Sequence, residues 1–140
     1  MLNEQTARLQ FTTNAGVATL TLDRPDRRNA LGTEVVDDLA QAFADVSADD
    51  SVRAVVLTGS PPGFCAGSDV KELAGLDISG AARHEARTGQ VVRSIQQLDK
   101  PVLAAVEGFA LGGGLLLALG CDLVVTASDA QWRLPEVYLP

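Results

Sequence analysis

Two stretches of this sequence put glycine where a backbone could meet a ligand: Ala66-Gly67-Ser68-Asp69 and Gly112-Gly113-Gly114. Each follows an apolar run with strand character and precedes a segment with helical features. Each therefore predicts a strand, a tight loop and a helix start. N–H groups at a helix start lack an intrahelical acceptor, and glycine lets the backbone approach closely or take up positive φ. Two such loops facing each other would aim two donors at one oxygen and stabilise negative charge developing there. The same glycines also suit tight helix–strand packing, and spacing alone leaves both readings open.

A third candidate is Glu136, in Leu134-Pro135-Glu136-Val137, a carboxylate among apolar neighbours. Burial makes a carboxyl group hold its proton more tightly. That suits a group which takes a proton from carbon and returns it. An exposed glutamate beside a loop proline is the competing reading.

Other chemistries fit less well. A phosphate-binding P-loop needs Lys-Ser/Thr after its second glycine, whereas Gly114 is followed by Leu115 and Leu116. The dinucleotide fingerprint fails at Leu117, where a third glycine or alanine should stand. Ser68 lies outside any G-x-S-x-G elbow, and the single histidine, His84, is expected on a solvated polar helix face. That argues against a nucleophilic triad. One histidine and two distant cysteines, Cys65 and Cys121, give poor support for a metal site, and no cofactor is expected.

These residues need a scaffold, and composition bounds it. A chain of 140 residues with 46% hydrophobic content can close one aliphatic core without disulfides, and the sequence reads as a single domain over residues 1–140. The formal charge of −7 argues against a nucleic-acid surface; Arg24, Arg27 and Arg28 form the one local basic group. The start MLNEQTARLQ lacks the pattern of a secretory signal. The apolar window Val102 to Cys121 contains Glu107, and its uninterrupted part is too short to cross a membrane. The cysteine usage favours a reducing, cytoplasmic setting.

The chain opens with a hairpin, Leu9 to Thr13 and Val17 to Leu22, joined at Asn14-Ala15-Gly16. Thr33 can cap a helix carrying Val35, Val36, Leu39, Phe43 and Val46. Ala54 to Leu57 has the continuous apolar character of a strand buried on both faces. A Gly/Pro loop leads to a helix starting near Asp69, and Gly75 to Gly80 is a flexible connection. A long helix is expected from Ala81 to Leu98, strands at Val102 to Val106 and Leu123 to Thr126, and an apolar helix from Leu115 to Leu119. Strands alternate with helices, which predicts an α/β fold. No internal repeat is visible by eye.

Four motifs stand in order: Asp23-Arg24-Pro25 with Asn29-Ala30-Leu31; Val55 to Gly59 with Gly63 to Leu73; Lys100 to Gly114 with Cys121-Asp122-Leu123; and Leu134-Pro135-Glu136. In order and spacing they resemble the enoyl-CoA hydratase/isomerase, or crotonase, family over essentially the whole chain. The resemblance implies a spiral of ββα units whose C-terminal helical part is absent from this chain, so that these residues form an N-terminal core. It implies an acyl-CoA thioester as substrate, with coenzyme A part of that substrate. A homotrimer or dimer of trimers is implied if the full-length chain is present.

The family's two thioester-holding N–H groups correspond to Ser68 and Gly113. Asn29, Ala30, Leu31, Ala66, Ser68, Asp69, Val70 and Lys71 fall along the CoA moiety, with Arg24 and Lys71 expected toward its phosphates or adenine. Family hydratases carry two glutamates. The first corresponds to Leu116, which has no proton to exchange, and the second to Glu136. A single carboxylate favours double-bond isomerisation over hydration. A hydratase using Glu136 alone or with a carboxylate outside the motifs is the alternative, and an acyl-CoA-binding protein or inactive fragment is a third.

Overall fold

The computed structural model describes residues 8–138. The strands are β1 (Leu9–Asn14), β2 (Val17–Leu22), β3 (Ala54–Gly59), β4 (Val102–Val106), β5 (Phe109–Leu111), β6 (Leu123–Thr126) and β7 (Gln131–Arg133). The helices are α1 (Thr33–Ala48), α2 (Val70–Leu73), α3 (Ile78–Gln97) and α4 (Gly113–Gly120), with single 3-10 turns at Pro25–Arg27 and Pro135–Tyr138. Ala15 and Gly16 both take positive φ, 50° and 82°. That is the backbone a two-residue hairpin needs to match strand twist.

The main sheet runs β1-β2-β3-β4-β6. β1 pairs antiparallel with β2, and the remaining pairs are parallel. Register lines up Phe11, Leu20, Leu57 and Ala104 as one row across four strands, and all four are buried. The helices cover this face, with Val35, Val36, Leu39, Phe43, Val91, Ile95 and Leu117 completing the core.

β3 was expected to be buried on both faces, but the structure buries one. Val55 and Leu57 are inaccessible, whereas Ala54 and Val56 are half-buried, because the core-forming helices all pack on the opposite side. The continuous apolar run is therefore not evidence of two covered faces. β6 carries this furthest: Leu123, Val124 and Val125 are 61%, 38% and 59% exposed.

Three local expectations need correction. Gly32, not Thr33, is the N-cap of α1, and no side chain caps it; the Thr33 N–H instead donates to Glu72 Oε1 at 2.9 Å. α3 begins at Ile78, within the stretch expected to be flexible, because Asp77 Oδ1 accepts from the Gly80 N–H at 2.6 Å and caps it. His84 is buried, not solvated. It belongs to the stripe Gly80, His84, Thr88, Val91 and Ile95, the buried side of α3. The stripe starts with polar residues, which hides its burial from a hydropathy pattern.

A repeat emerges in three dimensions that the sequence does not display. After β2, β3, β4 and β6 in the main sheet, the chain enters a second layer at Leu31, at Cys65 to Ser68, at β5 and at β7 respectively. Leu31 bridges Ser68, Cys65 bridges Ala110, and β5 pairs with β7, all parallel. From that layer the chain turns into α1, α2, α4 and the 3-10 turn at Pro135–Tyr138. Successive strand–strand–helix units thus stack in a spiral, and equivalent loops of neighbouring units come side by side.

Candidate active site

The stacking decides where the two glycine loops lie. The first is laced on one side to residues 28–31: Ala66 N–H to Arg28 O (3.1 Å), Leu31 N–H to Gly67 O (2.8 Å) and Asp69 N–H to Leu31 O (3.1 Å). On the other side it is laced to β5, through Cys65 N–H to Phe109 O (3.2 Å) and Leu111 N–H to Cys65 O (3.0 Å). Ser68 is thereby brought against Gly113. A Cβ on Gly113 would stand 3.8 Å from Ser68 N, and one on Gly67 would stand 3.3 Å from Gly113 N and 2.7 Å from Leu111 O. Gly67, at φ 89°, has both the backbone and the close contact that only glycine accepts.

The N–H groups of Ser68 and Gly113 have no acceptor among the described residues. Gly113 opens α4, so its donor is one that the helix itself leaves unpaired. Two neighbouring free donors of this kind can hold an oxygen that gains negative charge.

Glu136 arrives from the 3-10 turn after β7, whose approach is fixed by the bond from Gly112 N–H to Arg133 O (3.0 Å). Its carboxylate stands directly over Gly112. A Cβ there would collide with Oε1 and lie 3.2 Å from the carboxyl carbon. The structure therefore places Ser68 beside Gly113 and Glu136 over the adjacent Gly112. Of the two readings of Glu136, the structure gives the exposed one: Leu134 and Val137 beside it are 43% and 74% exposed and form no shell around it. Leu116, one turn into α4, is 51% exposed.

Asp69, 4% exposed, anchors the other side of the site. It receives Arg27 Nη2 on both oxygens at 2.7 and 2.8 Å and Arg24 Nη2 at 3.4 Å. It also caps α2 by accepting from the Lys71 and Glu72 N–H groups. Burial works to raise its pKa, but the Arg27 hydrogen bonds, the Glu72 N–H and the charges of Arg27 and Arg24 outweigh it. The carboxyl is held below the usual range. Glu72 is likewise held low, chiefly by its hydrogen bond to Thr33.

A cleft of about 280 Å³ opens beside this anchor, lined by Asp26, Arg27, Arg28, Ala30, Ala66, Ser68, Asp69, Val70 and Lys71. Several residues expected along a ligand do other work. Asn29 is buried, accepting from Arg24 N–H and donating to the carbonyls of Ser60 and Gly63 (2.8 and 2.7 Å). Those bonds hold Arg28 and Asn29 in the left-handed region, at φ 54° and 55°. Leu31 is fully buried under the Gly113 backbone. Arg24 is turned inward to Ala30 O and Asp69. Val70 and Lys71 remain exposed.

Arg27 and Arg28 supply the basic lining that was expected of Arg24; Arg28 also stacks 4.6 Å from the Phe109 ring centroid. The cluster of three arginines in sequence was the available signal for them. Cys65 is no nucleophile: burial pushes its thiol up to about 12. Among the described residues no cluster of metal-ligating side chains occurs, and no helix is long and apolar enough to cross a membrane.

The profile of the enoyl-CoA hydratase/isomerase family matches residues 12–139. The chain is similar to the short-chain-enoyl-CoA hydratase of Clostridium acetobutylicum, at 36% identity over 124 residues, covering 88% of this chain and 48% of the relative. It is similar to the 1,2-epoxyphenylacetyl-CoA isomerase of Escherichia coli, at 41% identity over 122 residues, covering 84% and 46%. The crystal structure of an enoyl-CoA hydratase from Mycobacterium smegmatis superimposes with a TM-score of 0.90 at 39% identity, over 94% of this chain and 52% of that one. The chain spans about half the length of the curated relatives it matches.

Proposed function

Since the chain belongs to the enoyl-CoA hydratase/isomerase family, we propose that it binds an acyl-CoA thioester and moves a carbon–carbon double bond through an enolate. The thioester oxygen sits between the Ser68 and Gly113 N–H groups, and the Asp69-anchored cleft with Arg27, Arg28 and Lys71 takes the CoA side. The Glu136 carboxylate removes a proton from C2 of a 3-enoyl thioester. The electron pair moves into the conjugated enolate, and the oxyanion is held by the two donors. Glu136 then delivers the same proton to C4, leaving the 2-enoyl product. Atoms and charge balance with one carboxylate.

The observation carrying this reading is the Glu136 carboxylate over Gly112, beside two N–H groups without an acceptor among the described residues. Hydration is the second reading, favoured by a hydratase among the relatives; it benefits from a second proton-handling group. The exposed apolar strip of β6 supports burial of this edge in the whole protein, and a homotrimer or dimer of trimers is the assembly the family resemblance implies for the full-length chain.

The test is conversion of a 3-enoyl-CoA to its 2-enoyl isomer, followed by ultraviolet absorbance of the conjugated thioester. Glu136→Gln should lower the rate by about 10²–10⁴-fold, the usual contribution of a positioned acid–base group, while acyl-CoA binding by calorimetry persists. A variant that isomerises at the parental rate would remove Glu136 from the mechanism.

A further inference from the structure

Leu116 leaves the site without a second carboxylate on α4, yet one approaches from another helix. Glu85 of α3 accepts a hydrogen bond from the Ser68 hydroxyl, Oγ to Oε1 at 3.1 Å. Ser68 is the residue whose N–H faces Gly113, so this carboxylate reaches the rim of the same donor pair. Glu85 is exposed and makes no ion pair among the described residues, so no cation neutralises it.

Helix packing places it there independently of that bond. Val92 meets Gly120, whose added Cβ would lie 3.0 Å from Val92 Cγ1. Glu85 precedes Val92 by seven residues and Gly113 precedes Gly120 by seven, about 10 Å of helix in each case. α3 joins β3 to β4 and α4 joins β4 to β6, both parallel pairs, so the two helices run in the same direction, and Glu85 and Gly113 lie toward the same end from that contact.

We propose that Glu85 is a second acid–base group of this site, paired with the Ser68 hydroxyl, and that it adds hydration of 2-enoyl thioesters to double-bond migration. The inference rests on the functional reading above. A water oxygen bonds to C3 while the Glu85 carboxylate takes one of its protons. The C2–C3 π electrons move to the thioester oxygen, held by the Ser68 and Gly113 N–H groups; as the enolate collapses, C2 takes a proton that Glu136 relays from solvent. The 3-hydroxyacyl thioester leaves, and solvent returns the two carboxyl groups to their starting states.

The protein is assayed with a 2-enoyl-CoA for hydration and a 3-enoyl-CoA for isomerisation, alongside Glu85→Gln, Glu85→Asp and Glu136→Gln. Glu85→Gln is expected to lower hydration by about 10²-fold and at least about tenfold more than isomerisation. Glu85→Asp should recover part of the hydration rate, and Glu136→Gln should lose both reactions. The proposal falls if Glu85→Gln hydrates at the parental rate or loses both reactions equally, the mark of a purely structural contact. It also falls if the parent isomerises without hydrating, which leaves the functional reading standing. A parent that does neither overturns that reading as well.

Discussion

The two loops that meet at the site are held in place by different forces. The first is tied by side-chain polarity: Asp69 to Arg27 and Arg24, Glu72 to Thr33, and Asn29 to three backbone groups. The second has no polar side chain of its own and is held by backbone fit. Gly114 is pressed against the Cys65 carbonyl, and Gly112 is bonded through its N–H to Arg133 O. The first loop thus adds side chains, some of which titrate, to its backbone bonds, whereas the second relies on space that does not titrate. The donor pair between them depends on both, so each can be broken separately.

The largest effect should come from the steric side. Gly67→Ala inserts a methyl 2.7 Å from Leu111 O and 3.3 Å from Gly113 N, at φ 89°, and wedges the loops apart. Losing one oxyanion donor costs about 10²–10³ in turnover, so kcat for either reaction should fall by that order. A Gly67→Ala protein with parental kcat would show that the two donors need not touch the same oxygen.

On the polar side, Asp69→Ala removes two arginine partners and the cap of α2. It should cost about 1.5–3 kcal/mol, as for hydrogen bonds to a charged group, measured as a lower urea midpoint. The cost should appear in stability and CoA affinity more than in kcat.

Acid should repeat that loss more gently. The folded-state carboxyls of Asp69 and Glu72 lie below their ordinary values, which are about 3.9 and 4.3 in unfolded chains. The folded protein therefore binds fewer protons through them. Their stabilisation is complete above about pH 5 and is lost as pH falls through the lowered values. Urea midpoints measured from pH 7 down to pH 3 should decline in the parent and decline less in Asp69→Ala. Equal slopes would mean that other carboxylates carry the acid sensitivity.

Legibility in the sequence followed locality. The hairpin, α1, β3, β4 and β6 were readable because each is specified by its own apolar spacing or turn residues, and the helix start near Asp69 because a carboxylate suits the positive end of a helix. The start of α3 was missed because Asp77 caps across a Gly/Ser stretch that resembles a linker. The burial of His84 was missed because the stripe facing α1 begins with polar residues. β5 and β7, three residues each, exist through pairing with one another, and three residues carry no period to read. Glu85 gave no signal at all. It is one glutamate on a solvated helix face until Ser68 is folded against it.

The sequence by itself determined the chemistry that is local to the chain: two glycine loops at helix starts, a carboxylate after Pro135, an acidic balance with one arginine cluster, and the family these motifs belong to. Those features follow from the conformations that short stretches can adopt and from the groups they carry. Only the tertiary structure decided which donors meet, that Glu136 stands over Gly112 in the open, that Arg27 and not Arg24 faces the cleft, and that Glu85 reaches Ser68. Each of these is a distance between residues far apart in the chain. It is set by the register of the parallel sheet and by the stacking of strand–strand–helix units, and no spacing along the sequence encodes it.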